Sequence, residues 1–328
     1  MTFLITGSAG HLGEALMRTL RGAGQPARGV DLLASPFTDQ VGSIADRAFV
    51  RGCMEGVRAV FHCATLHKPH VGTHSQQDFV DTNVTGTLAL LEEAVRAKVE
   101  AFVFTSTTSA FGAALTPPPG APAAWITEAV APVPKNIYGA TKIAAEQLCE
   151  LFARRDRLPL VILRTSRFFP EEDDNPAMRT AYGTANMQVN ELLHRRADIA
   201  DIVDAHLLAA AKAPELRFGC YIVSATSPFT PSDLAALRTD APAVVAHYFP
   251  TAAAIYRARG WTMFPTVDRV YVNDAARIAL GWSPRYGFGQ AISALGRGED
   301  FRSPLAVGIG RKGYHPTTFG DAPYPAST

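Results

Sequence analysis

Thr2 to Thr6 (TFLIT) is an apolar run that stops at glycines. It is too short for a helix and reads as a buried strand. From His11 to Arg21 the spacing changes: Leu12, Ala15, Leu16, Thr19 and Leu20 recur with helical period. Ala27 to Asp31 reads as a second strand, ending on an acid. Ala59 to Ala64 (AVFHCA), Ala101 to Thr105 (AFVFT) and Leu160 to Leu163 read as further strands. Asp78 to Lys98 and Asn136 to Arg155 are patterned as long amphipathic helices, and Pro117-Pro118-Pro119-Gly120 marks a surface loop. This alternation predicts an α/β protein, a Rossmann-type doubly wound parallel sheet with helices on both faces. Right-handed crossovers then place ligands at the carboxyl ends of the strands.

After Arg164 the pattern loosens. Phe169 to Asn175 (FPEEDDN) is loop-like, Asp198 to Lys212 is an amphipathic helix, and Cys220 to Ser224 reads as a returning strand of the main sheet. The remainder is rich in Pro, Gly and aromatic residues. The expected organisation is a nucleotide-binding domain over 1–164 with 197–225. A smaller C-terminal substrate lobe covers 165–196 with 226–328. The tail from Arg311 to Thr328 is left open as a docked arm or a frayed end.

Composition narrows the class. The 328 residues are 47% hydrophobic and 19% charged, which excludes a disordered chain and allows a sizeable core. A net charge of +1 with no basic, aromatic-interleaved stripe argues against a nucleic-acid partner. Arg154-Arg155-Asp156-Arg157 reads as a solvated helix end. The four cysteines are scattered and form no Cys-x-x-Cys, with Cys63 placed in a core strand, which suits reduced thiols. Met1 runs directly into a strand, and no apolar run is long enough for a membrane span. A soluble cytoplasmic enzyme without a membrane partner is expected.

Two motifs carry chemistry. Thr6-Gly7-Ser8-Ala9-Gly10-His11-Leu12-Gly13 sits where a strand turns into a helix. Gly7 permits the tight turn, Gly10 lets backbone approach a pyrophosphate, and Gly13 allows close helix packing. The helix start at His11 and Leu12 offers N–H groups and a positive dipole end to phosphates. A carboxylate at Asp31 can accept both adenosine ribose hydroxyls and repels a 2′-phosphate. Leu32 and Leu33 follow it, so NAD is favoured over NADP; Arg28 is the nearby cation that weakens this preference. Downstream, Tyr138 and Lys142 share a helix face at i and i+4. An ammonium there is expected to lower the phenol's pKa so that Tyr138 exchanges a hydroxyl proton during hydride transfer. Ser106, Thr107, Thr108 and Ser109 compete to hold the substrate oxygen.

On these residues the chain resembles the extended short-chain dehydrogenase/reductases, in their NAD-dependent epimerase/dehydratase branch. Thr6 to Gly13 matches that family's glycine motif and Tyr138 to Lys142 its Tyr-x-x-x-Lys. Val60 to Ala64 is similar to a Val-Phe-His-x-Ala segment that lines the cofactor. Asn83 to Thr87 is similar to an Asn-Val-x-Gly-Thr helix. Arg195 to Ala205 and Ala279 to Pro284 are similar to late family segments. The resemblance implies NAD contacts at Cys63, Ala64, Thr105, Tyr138 and Lys142. It implies adenine contacts at the Ser43-Ile44 position, where the usual acid is missing. It makes Thr107 the catalytic hydroxyl, five residues before Gly112, and Asn83 a helix-kinking support for a proton relay. Family members often dimerise through the two long helices, so a homodimer is expected.

Departures narrow the reaction. Thr108 and Ser109 stand where 4,6-dehydratases carry an Asp-Glu pair, which disfavours water elimination. Only about thirty residues separate Arg164 from Arg195, the length of a long functional loop and little more. That shortness, with Phe169-Pro170-Glu171, is similar to uronate dehydrogenases and implies a carboxylate-binding arginine at Arg179 or Arg167. His62, His67, His70 and His74 lack a Cys or acid to complete a ligand set, so no metal is expected; His67 and Lys68 read as a loop over the site. The leading expectation is an NAD-dependent oxidoreductase acting on a hydroxyl of a sugar, sugar acid or related polyol. The alternatives are an epimerase that retains its NAD and a non-catalytic NAD-sensing regulator. The retained Tyr-Lys pair counts against the latter.

Overall fold

Among the described residues nine strands run in chain order: β1 (Thr2–Thr6), β2 (Ala27–Asp31), β3 (Gln40–Val41), β4 (Val57–His62), β5 (Ala101–Thr107), β6 (Ala124–Ile126), β7 (Leu160–Thr165), β8 (Phe218–Val223) and β9 (Arg269–Tyr271). The structure is a computed structural model that describes residues 2–173, 175–315, 319 and 325. Seven strands form one parallel sheet in the order β3-β2-β1-β4-β5-β7-β8. The winding direction reverses between β1 and β4, which makes the carboxyl end of β1 the crevice where such sheets bind ligands. Register aligns Thr6 with His62 and Thr107 with Thr165, so the glycine turn and the end of β5 open on the same edge.

The strands read as continuous apolar runs because both faces are covered. Phe3, Ile5, Phe61, Val103 and Leu163 face α1 (His11–Gly22) and the long helix Ile199–Leu216. Leu4, Val60, Phe102, Phe104 and Ile162 face the opposite layer. That layer contains α2 (Arg47–Cys53), α3 (Gln76–Phe79), α4 (Gly86–Ala97) and α5 (Ile137–Arg155). Phe61, Phe102 and Phe104 are fully buried, each worth roughly 2–3 kcal/mol of transfer free energy.

The structure departs from the sequence pattern at four places. The single helix expected over 78–98 is α3, a π-turn at Val80–Thr85 and α4. Ser75 starts it early by a capping box with Asp78. Asn83 lies inside this π-turn, and its side chain bonds to Leu66 and Thr141 on other elements. β4 ends at His62, so Cys63 is a partly buried turn residue, its N–H bonded to Thr6 O at 3.3 Å. The strand of two residues at β3 and the separate parallel pair β6-β9 are too short to leave a period-2 signature. After β8 a third core gathers around Phe229, Val245, Tyr256, Val270 and Phe288, with Val189 and Leu192 of the helix Thr184–Leu192 packed into it. The chain then returns through the helix Pro304–Ile309, and Arg311 to His315 dock against the carboxyl edge of the sheet.

Candidate functional site

Gly7 has φ +74°, a left-handed backbone that glycine adopts without strain. An added Cβ there would lie 2.7 Å from Ala64 N, and one on Gly13 would lie 2.0 Å from Gly7 O. Both glycines therefore hold β1, the turn and α1 in close packing. Gly10 caps α1 without any side-chain bond, so the first-turn amides around His11 and Leu12 face outward as an anion cradle. Asp31 ends β2 beside this turn: Ala9 N donates to its Oδ2 at 2.9 Å and Leu33 N to its Oδ1 at 2.9 Å. Each carboxylate oxygen keeps further lone-pair capacity for a ribose hydroxyl. Arg28 is turned away, donating to Cys53 O at 2.6 Å and Glu55 O at 3.0 Å. Ser43 accepts from Ala45 N at 3.2 Å, and Ile44 is buried against Gly86. The glycine turn and Asp31 thus fit a dinucleotide's pyrophosphate and adenosine ribose.

Behind the turn, His62 ties three elements together. Thr87 Oγ1 donates to Asn83 O at 2.7 Å, so it accepts from His62 Nε2–H at 2.9 Å. Thr6 Oγ1 accepts from Cys63 N and Ala64 N, so it donates to His62 Nδ1 at 2.9 Å. Burial and then the nearby Lys142 push the His62 pKa down, in keeping with this neutral tautomer. Asn83 accepts from Leu66 N and Thr65 Oγ1 through Oδ1, each at 2.9 Å. Its Nδ2 donates to Leu66 O at 2.9 Å and Thr141 Oγ1 at 3.0 Å. It therefore clamps the segment after β4 to α5 one residue before Lys142.

The reacting groups sit where α5 crosses the end of β5. Asn136 caps α5, its Oδ1 accepting from Gly139 N at 3.1 Å, which sets the helix start at Ile137, one residue before Tyr138. Tyr138 is hydrogen-bonded to Thr107 and buried. Lys142 Nζ donates to Thr105 O at 2.7 Å and lies 3.9 Å over the Phe104 ring. The expected direction of pKa tuning is reversed: burial pushes the Tyr138 phenol up to about 12, opposed by the Thr107 bond. Burial also pushes the Lys142 ammonium down to about 8, against the nearby Glu146. In the protein alone, desolvation outweighs the helix-face pairing of the two residues. Among the competing hydroxyls, Ser106 donates to Glu146 Oε1 at 2.5 Å, inside a buried ion pair with Arg164. Thr107 also accepts from Ser109 N at 3.0 Å. Thr105 Oγ1 bonds to His206 Nε2 at 2.9 Å.

A cavity of about 330 Å³ opens in front of Thr107 and Tyr138, within the size range of small-molecule sites. Thr108, His67 and Lys68 line it together with Lys135, Arg167, Arg195, Arg269, Phe168, Phe169, Tyr271 and Tyr314, and among the described residues no carboxylate does. Arg167 reaches the wall but is held by Asp173 at 2.5 Å and Glu191 at 3.2 Å. Arg179 donates to Asp173 O at 2.7 Å and lies outside this lining, so the structure brings Arg167, not Arg179, to the cavity. Arg195 and Arg269 are cavity arginines that local pattern did not single out; Arg195 pairs with Glu191 at 3.1 Å, and Arg269 Nε lies 3.4 Å from Asp268 Oδ1. The fully buried Glu191 carboxylate fans Arg167, Arg195 and Arg196 around itself. Burial would raise the Glu191 pKa, but Arg196, Arg167 and Arg195 outweigh it and hold it far below the carboxylate range. The His67 ring packs 4.7 Å from His70, 4.9 Å from Tyr314 and 6.5 Å from Tyr138. Among the described residues, no group of three or more His, Cys, Asp or Glu is arranged to hold a metal ion. Among them too, no helix is long and apolar enough to cross a membrane.

A glycine turn at the switch point of a parallel sheet, facing a Tyr-x-x-x-Lys helix, defines a dinucleotide-binding protein of the short-chain dehydrogenase/reductase class. Residues 3–217 match the model of the NAD dependent epimerase/dehydratase family, and the chain belongs to that family. Sterol demethylase protein B of Methylococcus capsulatus is 32% identical over 238 residues, covering 68% of this chain and 70% of that protein. A UDP-glucose 4-epimerase of Azospirillum brasilense is 28% identical over 243 residues, covering 63% and 67%. An uncharacterized protein, y4nG, of Sinorhizobium fredii is 33% identical over 169 residues, and the match spans 40% of its length. Among solved structures, a short-chain dehydrogenase/reductase superfamily protein from Agrobacterium tumefaciens with bound NAD superposes with TM-score 0.65. It is 24% identical, over 90% of this chain and 96% of that one, and shares the fold.

Proposed function

We propose that the protein is an NAD-dependent oxidoreductase acting on a hydroxyl of an anionic, carbohydrate-like substrate. One observation carries this reading. The hydrogen-bonded Thr107 and Tyr138 face a cavity lined by Lys68, Lys135, Arg167, Arg195 and Arg269 and, among the described residues, by no acid. Cations around a partly desolvated cavity favour an anion, and planar guanidinium groups suit a carboxylate or phosphate. Gly7, Gly10 and Gly13, with the amides at His11 and Leu12, would hold the pyrophosphate. Asp31 would hold the adenosine ribose and Lys142 the nicotinamide ribose. NAD, when bound, supplies the hydride acceptor.

Thr107 would hold the substrate oxygen beside the Tyr138 hydroxyl. In oxidation Tyr138 would first give up its own proton to solvent, and the phenolate Oη would then take the substrate hydroxyl proton as the carbon–hydrogen bond breaks. In reduction Tyr138 returns that proton to the carbonyl oxygen. With its pKa near 12 the buried phenol is held protonated, ready for the reducing direction. Oxidation needs cationic charge nearby to draw the proton off. Asn83, through Thr141, positions the helix that carries both reacting residues.

An epimerase uses the same groups and retains its cofactor. Arg195 and Arg269 both reach the cavity and favour keeping this second reading, because guanidinium groups also suit a diphosphate. The experiment mixes the protein with excess NAD and a panel of sugar acids, aldoses, polyols and UDP- or dTDP-sugars. Absorbance at 340 nm and sugar composition are followed together. Stoichiometric NADH with one free sugar or acid is the expected result. A new sugar epimer without net NADH would establish the epimerase, and neither product with any member would remove the substrate assignment.

A further inference from the structure

Arg311 to His315 cross the carboxyl edge of the sheet, from the glycine turn to the loop that starts at His67. Glu171 anchors the crossing. Its Oε1 accepts from Lys312 N at 3.0 Å and Gly313 N at 3.2 Å, and its Oε2 accepts from Tyr314 Oη at 3.2 Å. The same Oε1 lies 2.9 Å from His11 Nε2, a residue of the cofactor turn itself. Lys312 Nζ pairs with Glu14 in the first turn of α1, and Arg311 pairs with Glu172 at 3.1 Å. At the far side His70 Nδ1 accepts from His67 N, so His70 Nε2–H donates to Tyr314 O at 3.2 Å. His315 Nε2 bonds to Pro69 O at 3.0 Å. The Tyr314 ring packs against His67 at 4.9 Å, Phe169 at 6.0 Å and His11 at 6.3 Å, and lines the same cavity as Tyr138.

The charges explain why an arm is needed there. The start of α1 attracts an anion through its amides and dipole. Yet two carboxylates, Glu14 and Glu171, stand beside that start, both largely buried. Bare, they would repel a pyrophosphate through a weakly screened medium. Burial raises the Glu14 pKa, but Lys312 and Arg18 outweigh it, so the group is a compensated carboxylate. Glu171 is compensated in the same way by His11 and the arm's amides.

We propose that residues 311–315 are part of the dinucleotide site: Lys312 cancels Glu14 beside the anion-binding turn, Tyr314 closes the nicotinamide end, and the docked arm slows release of the bound dinucleotide. This rests on the NAD reading above. The arm spans the two ends between which a dinucleotide must lie, and its contacts must loosen for the ligand to leave. Release rate, more than association, is where such contacts act.

The test uses NADH as the probe on the full chain. NADH binding is titrated by its fluorescence, and its dissociation rate is read by stopped-flow displacement with excess NAD. In the double variant Lys312→Ala/Tyr314→Ala, dissociation is expected to quicken by about tenfold or more. In Lys312→Ala alone, NADH affinity is expected to fall and the loss to grow at low salt. Adding Glu14→Gln to that background should recover most of it, because the uncompensated charge is then gone. Thermal melts check that each variant is folded. An NADH release rate within twofold of the wild-type value, or a slower one, overturns the proposal. So does a Lys312→Ala loss that Glu14→Gln leaves unchanged. A wild-type chain that binds no NADH overturns the NAD reading as well, and that failure is seen before any variant is measured.

Discussion

Lys142 Nζ donates to the Thr105 carbonyl at 2.7 Å, so the ammonium is tied to the end of β5 and held over the Phe104 ring. The residue is buried in the core of the sheet edge, with its pKa pushed down to about 8 by desolvation. A charged lysine in such a place costs the fold free energy.

That cost is measurable. An unfolded lysine keeps its proton to about pH 10.4, whereas folded Lys142 releases it near 8. Between these values the unfolded chain binds more protons, so stability rises with pH. The increment is about 3 kcal/mol in total. Urea denaturation of wild type and Lys142→Met across pH 7 to 10.5 should show this rise in the wild type and its absence in the variant. Parallel curves would place the lysine in a far more solvated site.

Tyr138→Phe removes the proton-exchanging hydroxyl and leaves the ring in its buried place. Turnover should fall by roughly 10²–10⁴-fold. NADH affinity should stay within a few-fold, since the ring remains beside Thr107. Near-normal turnover in steady-state assays would take Tyr138 out of the mechanism.

Asp31 binds the backbone of the glycine turn at Ala9 and of the segment after β2 at Leu33. Asp31→Ala should weaken NAD binding by about tenfold or more, the worth of a charge-assisted hydrogen bond. With the repelling carboxylate gone, the preference for NAD over NADP should shrink. Fluorescence titrations with NADH and NADPH check both. Arg28 is engaged with Cys53 and Glu55, so it offers no ready phosphate clamp.

Glu191 neutralises Arg167, Arg195 and Arg196 from a fully buried position. Glu191→Gln leaves three cations without their shared partner and should cost about 3–5 kcal/mol. The folded pKa is depressed, so the stabilisation is complete above the unfolded value near 4.3 and fades as pH falls below it. Denaturation of wild type and variant should differ steadily from pH 5 to 8 and converge in acid. In the folded variant KM should rise for an anionic substrate, because Arg195 and Arg167 lose the carboxylate that aims them.

Much of this was legible along the chain because the rules involved are local. Buried parallel strands show as apolar runs, and the glycine turn shows as Gly7, Gly10 and Gly13 between a strand and a helix. Tyr138 and Lys142 are placed on one face by helical geometry alone. The break at Asn83 was not legible as a π-turn, because the side-chain bonds that go with it reach Leu66 and Thr141 on other elements. Nor was the role of His62, which took its meaning from Thr6 and Thr87 on two different elements.

The sequence by itself determined the sheet, the turn that faces its switch point, the Tyr-Lys helix face and the family. Those follow from periodicity and from glycine's freedom at Gly7. Tertiary structure alone decided which cations meet at the cavity, bringing Arg195 and Arg269 to a wall with Arg167 and leaving Arg179 outside the lining. It also decided that Tyr138 is held as a phenol, since burial is a property of the assembled site. And it decided that Arg311 to His315 dock on Glu171 and Glu14. A tail is ordered only by the surface it meets, and no local pattern encodes that surface.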